Sequence, residues 1–250
     1  MDAYLVLGTP SCGRRAAVCD LISRGLYEKT SPALLMSNSE EPSDFDAKLE
    51  KLAKVFRYGD LSVDEIPDLG ACDVVFCMAD SRADMISQIE KFKEICDRGV
   101  FRLVRILGFV DCSLYSLAFD ECADFYDAMS HFSDCMILSN RSGVSGKDIK
   151  KIQKRYLDMC RPHIFQNEMK DGKLENPSAI LVDEARRISM AFDDYDPIDE
   201  LELDEDTLPQ EPFTIEKKTD IYFEKTDSGA RVKRVSSGAD LFAKYKNEKQ

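Results

Sequence analysis

The sequence predicts an α/β fold, a three-layer sandwich in which a mainly parallel sheet lies between layers of helices. Short apolar runs that suit strands occupy residues 3–7, 32–36, 73–78, 102–110, 135–138 and 163–165. Segments with the apolar spacing of helices separate most of these runs, at 13–25, 44–55, 83–97, 114–129 and 145–160. Strands that alternate with helices of this length build βαβ units, and strands covered on both faces are almost wholly apolar.

The first predicted strand leads into a loop with glycines at both ends, Gly8 and Gly13, and a helix-like run follows it. This is the spacing of the phosphate-binding loop, or P-loop, in which Lys and then Ser or Thr follow the second glycine. Here Arg14 takes the lysine position, and Arg15 takes the position of the hydroxyl that binds magnesium. The residues predicted to contact phosphate or nucleotide are Gly8, Ser11, Cys12, Gly13, Arg14 and Arg15. The alternative is that both arginines are surface charges or form ion pairs with the chain's own acidic residues.

The order of motifs resembles the CobW/HypB/UreG family of P-loop GTPases over residues 1–166. Residues 78–85 stand where the family has Glu-Thr-Ser-Gly-Leu-Ala-Asp-Pro, and they keep its Ala-Asp pair without the glutamate. Residues 110–112, Val-Asp-Cys, are similar to the Val-Asp-Ala end of a family strand. Asn140 matches the asparagine of the guanine-reading Asn-Lys-x-Asp motif, in which Gly143 replaces the aspartate. The resemblance implies a P-loop NTPase-like sandwich that binds GTP or ATP with magnesium, with Asn140 as a contact to the base.

The departures from this family predict altered nucleotide chemistry. An arginine is bulkier and planar where the lysine places a point charge, and Arg15 puts a positive charge where magnesium takes a hydroxyl ligand. Gly143 lacks the carboxylate that guanine selectivity requires, and the family's Cys-x-Cys-Cys metal motif has no counterpart near residues 58–63. The interpretation is a degenerate CobW-like pseudo-GTPase that binds nucleotide or phosphate and acts through protein partners. The alternatives are an active NTPase that hydrolyses GTP or ATP, in which Asp80 or Asp84 holds magnesium, and a metallochaperone-type GTPase.

The other polar candidates carry weaker signals. Asp80, Asp84 and Asp111 suit magnesium ligands, but helix caps and turns are the more frequent roles of such residues. His131 and His163 lie far apart without the spacing of metal ligands. No catalytic residue and no metal site is therefore assigned.

The composition predicts a cytoplasmic protein that does not span a membrane. No run approaches the ~18–20 apolar residues that cross a bilayer, and the N-terminus lacks the pattern of an export signal. The nine cysteines show no Cys-x-x-Cys pair and are expected to be reduced and mostly buried, with a thiolate metal site as the alternative. The net charge of −13 is concentrated between residues 193 and 211, which hold ten acidic and no basic residues. The near-balanced remainder argues against a nucleic-acid surface.

Three parts are predicted along the chain. Residues 1–192 form the P-loop domain, closed by a helix at 178–192, and residues 193–212 form an acidic linker. Residues 213–250 form a hairpin, with strands at 220–226 and 230–235, and a basic tail. The acidic run suits a solvated linker or a docking segment for a basic partner. Because an isolated hairpin is marginal in water, the tail either docks on the domain, meets a partner or stays mobile.

Overall fold

The computed structural model describes residues 1–193 and 219–246 of the 250-residue chain. Its centre is a seven-stranded sheet in the order β3-β2-β4-β1-β5-β6-β7, and every neighbouring pair of strands is parallel. The strands are β1 (Asp2–Gly8), β2 (Pro32–Ser37), β3 (Lys54–Tyr58), β4 (Val74–Met78), β5 (Arg102–Asp111), β6 (Cys135–Ser139) and β7 (Ile164–Asn167). The helices are α1 (Arg14–Asp20), α2 (Asp46–Leu52), α3 (Met85–Asp97), α4 (Cys112–Leu117), α5 (Phe119–Phe132), α6 (Gly146–Asp158), α7 (Pro177–Ile180) and α8 (Gly238–Lys246).

Helices cover both faces of the sheet, which confirms the predicted three-layer sandwich. Alternate residues of β1 face opposite sides, so that Leu5 and Leu7 lie in one buried cluster whereas Tyr4 and Val6 lie in the other. The first cluster includes buried residues of α3, α5 and α6, and the second includes buried residues of α1 and α2. Burial on both faces explains why the strands are continuous apolar runs in the sequence.

The strand order determines where the glycine loop lies. From β1 the chain crosses through α1 to β2, which lies beyond β4. From β4 it crosses through α3 to β5, on the other side of β1. Because these crossovers run in opposite directions, α1 and α3 lie on opposite faces and the strand order reverses beside β1. The loop leaves the carboxyl end of β1 at this reversal, where open α/β sheets bind their ligands.

Two predicted helices differ from the observed elements. The helix predicted over 44–55 is shorter, and its last residues belong instead to the edge strand β3, which pairs with β2. The exposed Lys54 and Arg57 obscured this strand, since charged residues are common on edge strands. The helix predicted over 114–129 is two helices, α4 and α5, separated at Ala118 by a non-helical backbone with φ −131° and ψ 50°.

The helix predicted over 178–192 is wrong. Only α7 forms, and the chain then runs irregularly. Arg105 on β5 is 1% exposed and donates hydrogen bonds to the carbonyl oxygens of Ala179, Ile180 and Glu184, at 2.9, 3.2 and 2.9 Å. Since a buried guanidinium needs acceptors, these carbonyl groups are turned toward β5 instead of along a helix axis.

The described part of the tail docks on the domain. Tyr222 is 1% exposed, and its ring lies beside those of His131 and Phe132 on α5, at centroid distances of 5.0 and 5.6 Å. Asp220 Oδ2 lies 2.8 Å from Nε2 of His131. Leu241 of α8 is buried in the same cluster. Of the three alternatives for the tail, docking is the one that these residues show.

The two strands predicted for the hairpin, at 220–226 and 230–235, do not form. The turn at 226–229 is closed by a single antiparallel bridge between Lys225 and Arg231. Apart from Asp193, the predicted acidic linker at 193–212 lies outside the described residues. Within the part of the chain that the structure describes, no helix combines the length and apolar character needed to cross a bilayer.

Replacing Tyr222 by Ala tests the docking of the tail. Truncating a buried aromatic side chain leaves a cavity, so Tyr222→Ala is expected to lower the free energy of unfolding by about 3 kcal/mol. The matched control is Tyr27→Ala, because Tyr27 is 90% exposed and such truncations change stability by less than about 0.5 kcal/mol. Urea unfolding followed by circular dichroism measures both variants. Equal stability of the two would mean that the tail does not dock.

Candidate functional site

The loop between β1 and α1 forms one wall of a cavity of about 370 Å³ at the carboxyl edge of the sheet. The segment between β2 and α2 forms another wall, and residues at and after the end of β4 complete it. Five of the predicted contact residues line this cavity, namely Ser11, Cys12, Gly13, Arg14 and Arg15. Gly8 ends β1 behind the loop, and Asn140 is not among the lining residues.

Close packing explains both glycines of the loop. A Cβ atom on Gly8 would lie 2.5 Å from Sγ of Cys12 and 3.1 Å from Cβ of Phe109. Gly13 adopts φ +86°, a left-handed conformation that favours glycine, and a Cβ atom there would lie 2.9 Å from Oε1 of Glu168. Burial raises the pKa of the Cys12 thiol to about 12, so the thiol stays protonated at neutral pH. Cys12 therefore supports the loop from inside as an apolar residue.

Arg14 extends from the loop to the end of β4. Its side chain is 4% exposed, and its guanidinium donates a hydrogen bond to the carbonyl oxygen of Ala79 at 2.7 Å. The same guanidinium pairs with Oε1 of Glu40 at 2.5 Å. Glu40 belongs to the segment between β2 and α2, so this buried ion pair joins that segment to the loop.

Arg15 also pairs with acidic residues of the chain. Its Nη1 lies 3.0 Å from Oδ1 of Asp46, and its Nη2 lies 3.3 Å from Oε2 of Glu40. The side chain of Arg15 is nearly buried. These contacts, with those of Arg14, show that both arginines form ion pairs with the chain's own acidic residues, and a contact of either arginine with phosphate stays a prediction.

Glu40 is the residue that joins the two arginines. It also accepts a hydrogen bond from the Ser81 hydroxyl at 3.0 Å and a longer one from the Ser81 N–H at 3.4 Å. Burial disfavours the charged carboxylate, but Arg14 and the hydrogen bonds from Ser81 outweigh it, and the pKa of Glu40 lies below its usual value. Glu40 could not be predicted from the sequence, because nothing distinguishes it from the other polar residues at 37–43.

Asn140 connects the loop to the neighbouring strand ends. Its side-chain N–H groups donate to Oδ2 of Asp111 at 2.7 Å and to the carbonyl oxygen of Ser11 at 3.1 Å. Its backbone N–H donates to Oε2 of Glu168 at 2.9 Å. Asn140 therefore lies beside the loop, and its N–H groups donate to other groups of the chain. A contact between Asn140 and a base stays a prediction.

A segment that the motif analysis missed covers the first turn of α1. Gly172, at φ +72°, lies so close to α1 that a Cβ atom on it would be 2.2 Å from Cβ of Ala16. The N–H of Leu174 donates to Oδ2 of Asp20 at 2.8 Å, which fixes this segment to the helix. The Asp171-Gly172 pair is a turn signal in the sequence. Its contact with α1 follows only from the three-dimensional arrangement.

The candidate magnesium ligands have other roles. Asp84 and Asp111 are the N-caps of α3 and α4, and their carboxylates accept hydrogen bonds from the backbone N–H groups of Ser87 at 2.7 Å and Leu114 at 2.9 Å. Asp80 accepts a hydrogen bond from a serine hydroxyl of β2 at 3.0 Å. For Asp84 and Asp111, the cap is the role that the structure shows.

The side chains after Gly13 differ from those of a magnesium-binding loop. Magnesium takes oxygen ligands, and Arg15 offers none at the hydroxyl position. Guanidinium groups match the geometry of phosphate oxygens. Across residues 1–193 and 219–246, no group of three or more His, Cys, Asp or Glu side chains is placed to hold a metal ion. All nine cysteines are free thiols, and each is buried except Cys96 and Cys160.

Comparison with solved structures identifies the class of fold. The chain is similar to the signal recognition particle receptor FtsY from Elizabethkingia anophelis, with a TM-score of 0.50 and 13% identity, over 72% of this chain and 64% of that one. It is also similar to the cell division protein FtsY from Thermotoga maritima, with a TM-score of 0.50 and 16% identity, over 72% and 67%. The Zn(II)-bound YjiA GTPase from E. coli has a TM-score of 0.48 and 14% identity, over 74% and 66%. No family model and no curated protein sequence matches the chain.

These similarities show the fold. The parallel seven-stranded sheet with helices on both faces is the α/β sandwich of P-loop NTPases, which confirms the predicted fold class. The chain spans about two thirds of the length of the two FtsY structures.

The buried pair of Arg14 with Glu40 can be tested against the surface pair of Arg82 with Glu41. Arg14→Met removes a charge from a buried pair and is expected to lower the free energy of unfolding by about 3 kcal/mol. Arg82 pairs with Glu41 at the surface, so Arg82→Met should cost less than about 1 kcal/mol. Thermal or urea unfolding of both variants gives the comparison. A cost for Arg14→Met no larger than that for Arg82→Met would contradict the buried pairing.

Proposed function

We propose that this chain is a pseudo-GTPase, a degenerate relative of the CobW-like P-loop GTPases that binds phosphate or nucleotide without hydrolysing it. The observation that carries the proposal is the pairing of Arg14 and Arg15 with Glu40 and Asp46. These arginines stand at the two positions where a P-loop has its phosphate-binding lysine and its magnesium-binding hydroxyl. Two guanidinium groups that can exchange a carboxylate partner for a phosphate therefore remain at the loop, whereas a hydroxyl ligand for the catalytic metal does not.

The loop and its cavity support the binding of an anion. Gly8 and Gly13 permit the tight backbone turn that a phosphate-binding loop needs. The cavity of about 370 Å³ falls within the usual range for small-molecule pockets, about 300–1,000 Å³. Arginine recognises phosphate through paired hydrogen bonds, so it keeps the affinity of the loop for anions although it does not reproduce the lysine.

The same residues argue against hydrolysis. Phosphoryl transfer in P-loop enzymes depends on a magnesium ion that bridges the outer phosphates and neutralises the developing charge. Arg15 supplies no oxygen ligand for such an ion, the carboxylates of Asp84 and Asp111 cap helices, and Asp80 accepts a hydrogen bond from a serine hydroxyl of β2. Binding is therefore expected to depend little on magnesium, which distinguishes this proposal from an active NTPase.

Base selectivity is proposed to be weak. Gly143 has no carboxylate to accept the N–H groups of guanine, and the side chain of Asn140 already donates to Asp111 and Ser11. GTP and ATP are therefore expected to bind with similar affinity. We propose that protein partners bind through the acidic run at 193–212 or through the tail, since the concentrated negative charge suits a basic surface.

Titration with fluorescent GTP and ATP analogues, with and without magnesium, tests the proposed function. Saturable binding of both analogues is expected, with similar affinity in either buffer and no release of phosphate from GTP or ATP. Phosphate release that requires magnesium would contradict the proposal and favour an active NTPase. No saturable binding of either analogue at millimolar concentration would exclude nucleotide binding.

Ser11 provides a matched pair of variants for this titration. It is exposed and adopts φ +57°, a conformation that both Asp and Asn tolerate. Ser11→Asp adds a negative charge to the loop and is expected to weaken nucleotide binding about 10-fold. Ser11→Asn has the same size without the charge and should bind like the unsubstituted protein. Equal binding by both variants would place the nucleotide away from the loop.

A further inference from the structure

The carboxylate of Glu40 accepts contacts from the same kinds of donor groups that bind an anionic ligand. Arg14 and Arg15 contact its two oxygens at 2.5 and 3.3 Å, and the hydroxyl and N–H of Ser81 donate to Oε1 at 3.0 and 3.4 Å. Guanidinium, hydroxyl and backbone N–H groups are the donors that proteins use for phosphate oxygens. The donor set around Glu40 is thus suited to a phosphoryl group as well as to a carboxylate.

The charges of this cluster balance only while Glu40 is present. Arg14 and Arg15 carry two positive charges, which Glu40 and Asp46 neutralise. Withdrawal of Glu40 leaves a net positive charge in a nearly buried site, and such a charge requires another anion. Arg14 also donates to the carbonyl oxygen of Ala79 at 2.7 Å, a contact that does not involve Glu40. The arginines are therefore held ready for a replacement anion.

Glu40 lies on a connecting segment that reaches the protein surface, and Phe45 at the end of this segment packs against the core. Beside Glu40, Glu41 and Pro42 are exposed, and Glu41 pairs with Arg82 at the surface. The segment connects β2 to the seven-residue helix α2 and lines the cavity together with the loop. A ligand in the cavity thus faces both the arginines and the segment that carries Glu40.

We propose that Glu40 is an internal anion that occupies the arginine pair, and that the phosphoryl group of a ligand displaces it and releases the segment between β2 and α2. This inference rests on the proposed function, because it places the phosphate in the same cavity. The ligand chemistry is a phosphate or diphosphate, either free or part of a nucleotide. Displacement of Glu40 couples binding to the surface formed by residues 38–45, which is where a partner can sense the ligand.

The experiment compares Glu40→Gln with Glu28→Gln, which makes the same charge change at an exposed residue that does not line the cavity. Both are made in a Phe45→Trp background, because the chain has no tryptophan and Phe45 lines the cavity. The three full-length proteins are titrated with inorganic pyrophosphate, GDP and guanosine in a buffer without phosphate or sulfate. Tryptophan fluorescence reports the position of the segment, and calorimetry reports the affinity.

Pyrophosphate is expected to bind Glu40→Gln at least ~10-fold more tightly than the parent, since the binding-competent state no longer has to displace a carboxylate. Glu28→Gln should bind like the parent. Without ligand, the fluorescence of Glu40→Gln should already resemble that of the parent with pyrophosphate. Guanosine has no phosphate and should leave all three spectra unchanged. If both pyrophosphate and GDP bind, the ligand is the phosphoryl group of a nucleotide. If pyrophosphate binds and GDP does not, the ligand is free diphosphate.

Equal pyrophosphate affinity in all three proteins would overturn the role of Glu40 while leaving the proposed function intact. Binding of GDP without pyrophosphate would overturn the arginine pair as the phosphoryl site. If neither ligand binds any of the proteins, the proposed function fails as well. Should Glu40→Gln fail to fold by circular dichroism, Glu40→Asp replaces it, because the shorter carboxylate loosens the pair without removing the charge. Its expected affinity lies between those of the parent and Glu40→Gln, and an affinity equal to that of the parent overturns the proposal.

Discussion

Guanidinium groups buried beside the sheet need acceptors, and the irregular segments of this chain supply them. Arg14 binds Glu40 in the segment between β2 and α2, and Arg105 binds carbonyl oxygens at the end of α7 and in the chain after it. Arg187, in that same stretch, pairs with the buried Asp134. A buried charge without a partner costs several kcal/mol. The paths of these segments across the sheet therefore follow from charge pairing more than from local propensity.

This constraint gives the loop its chemical character. In a P-loop the residues after the second glycine supply a point charge and a hydroxyl to a phosphate and its metal. Here both positions are arginines whose charges are neutralised by Glu40 and Asp46. The loop keeps its fold because the glycines and the buried Cys12 determine the backbone, whereas the long side chains determine what it binds. Under the proposed function, the scaffold is retained while its metal chemistry is lost.

The regular part of the fold was predictable because it depends on short-range pattern. Strands that are apolar along their whole length and helices with one apolar face mark the sheet and its covering layers. The failures occurred where tertiary contacts override that pattern. Edge strand β3 carries charged residues, the break at Ala118 divides a continuous helical pattern, and residues 178–192 are held by Arg105.

The sequence by itself determined the α/β class, the position of the loop and the absence of the lysine and the hydroxyl, because spacing and residue type are local properties. Only the tertiary structure decided the partners of the loop. Arg14 pairs with Glu40, which is 26 residues away in the sequence, and donates to the carbonyl oxygen of Ala79, which is 65 residues away. Gly172 packs against Ala16. The tertiary structure also decided that the tail docks on α5. Such contacts depend on strand order and on the requirement that buried charges be paired, and neither leaves a periodic signal in the chain.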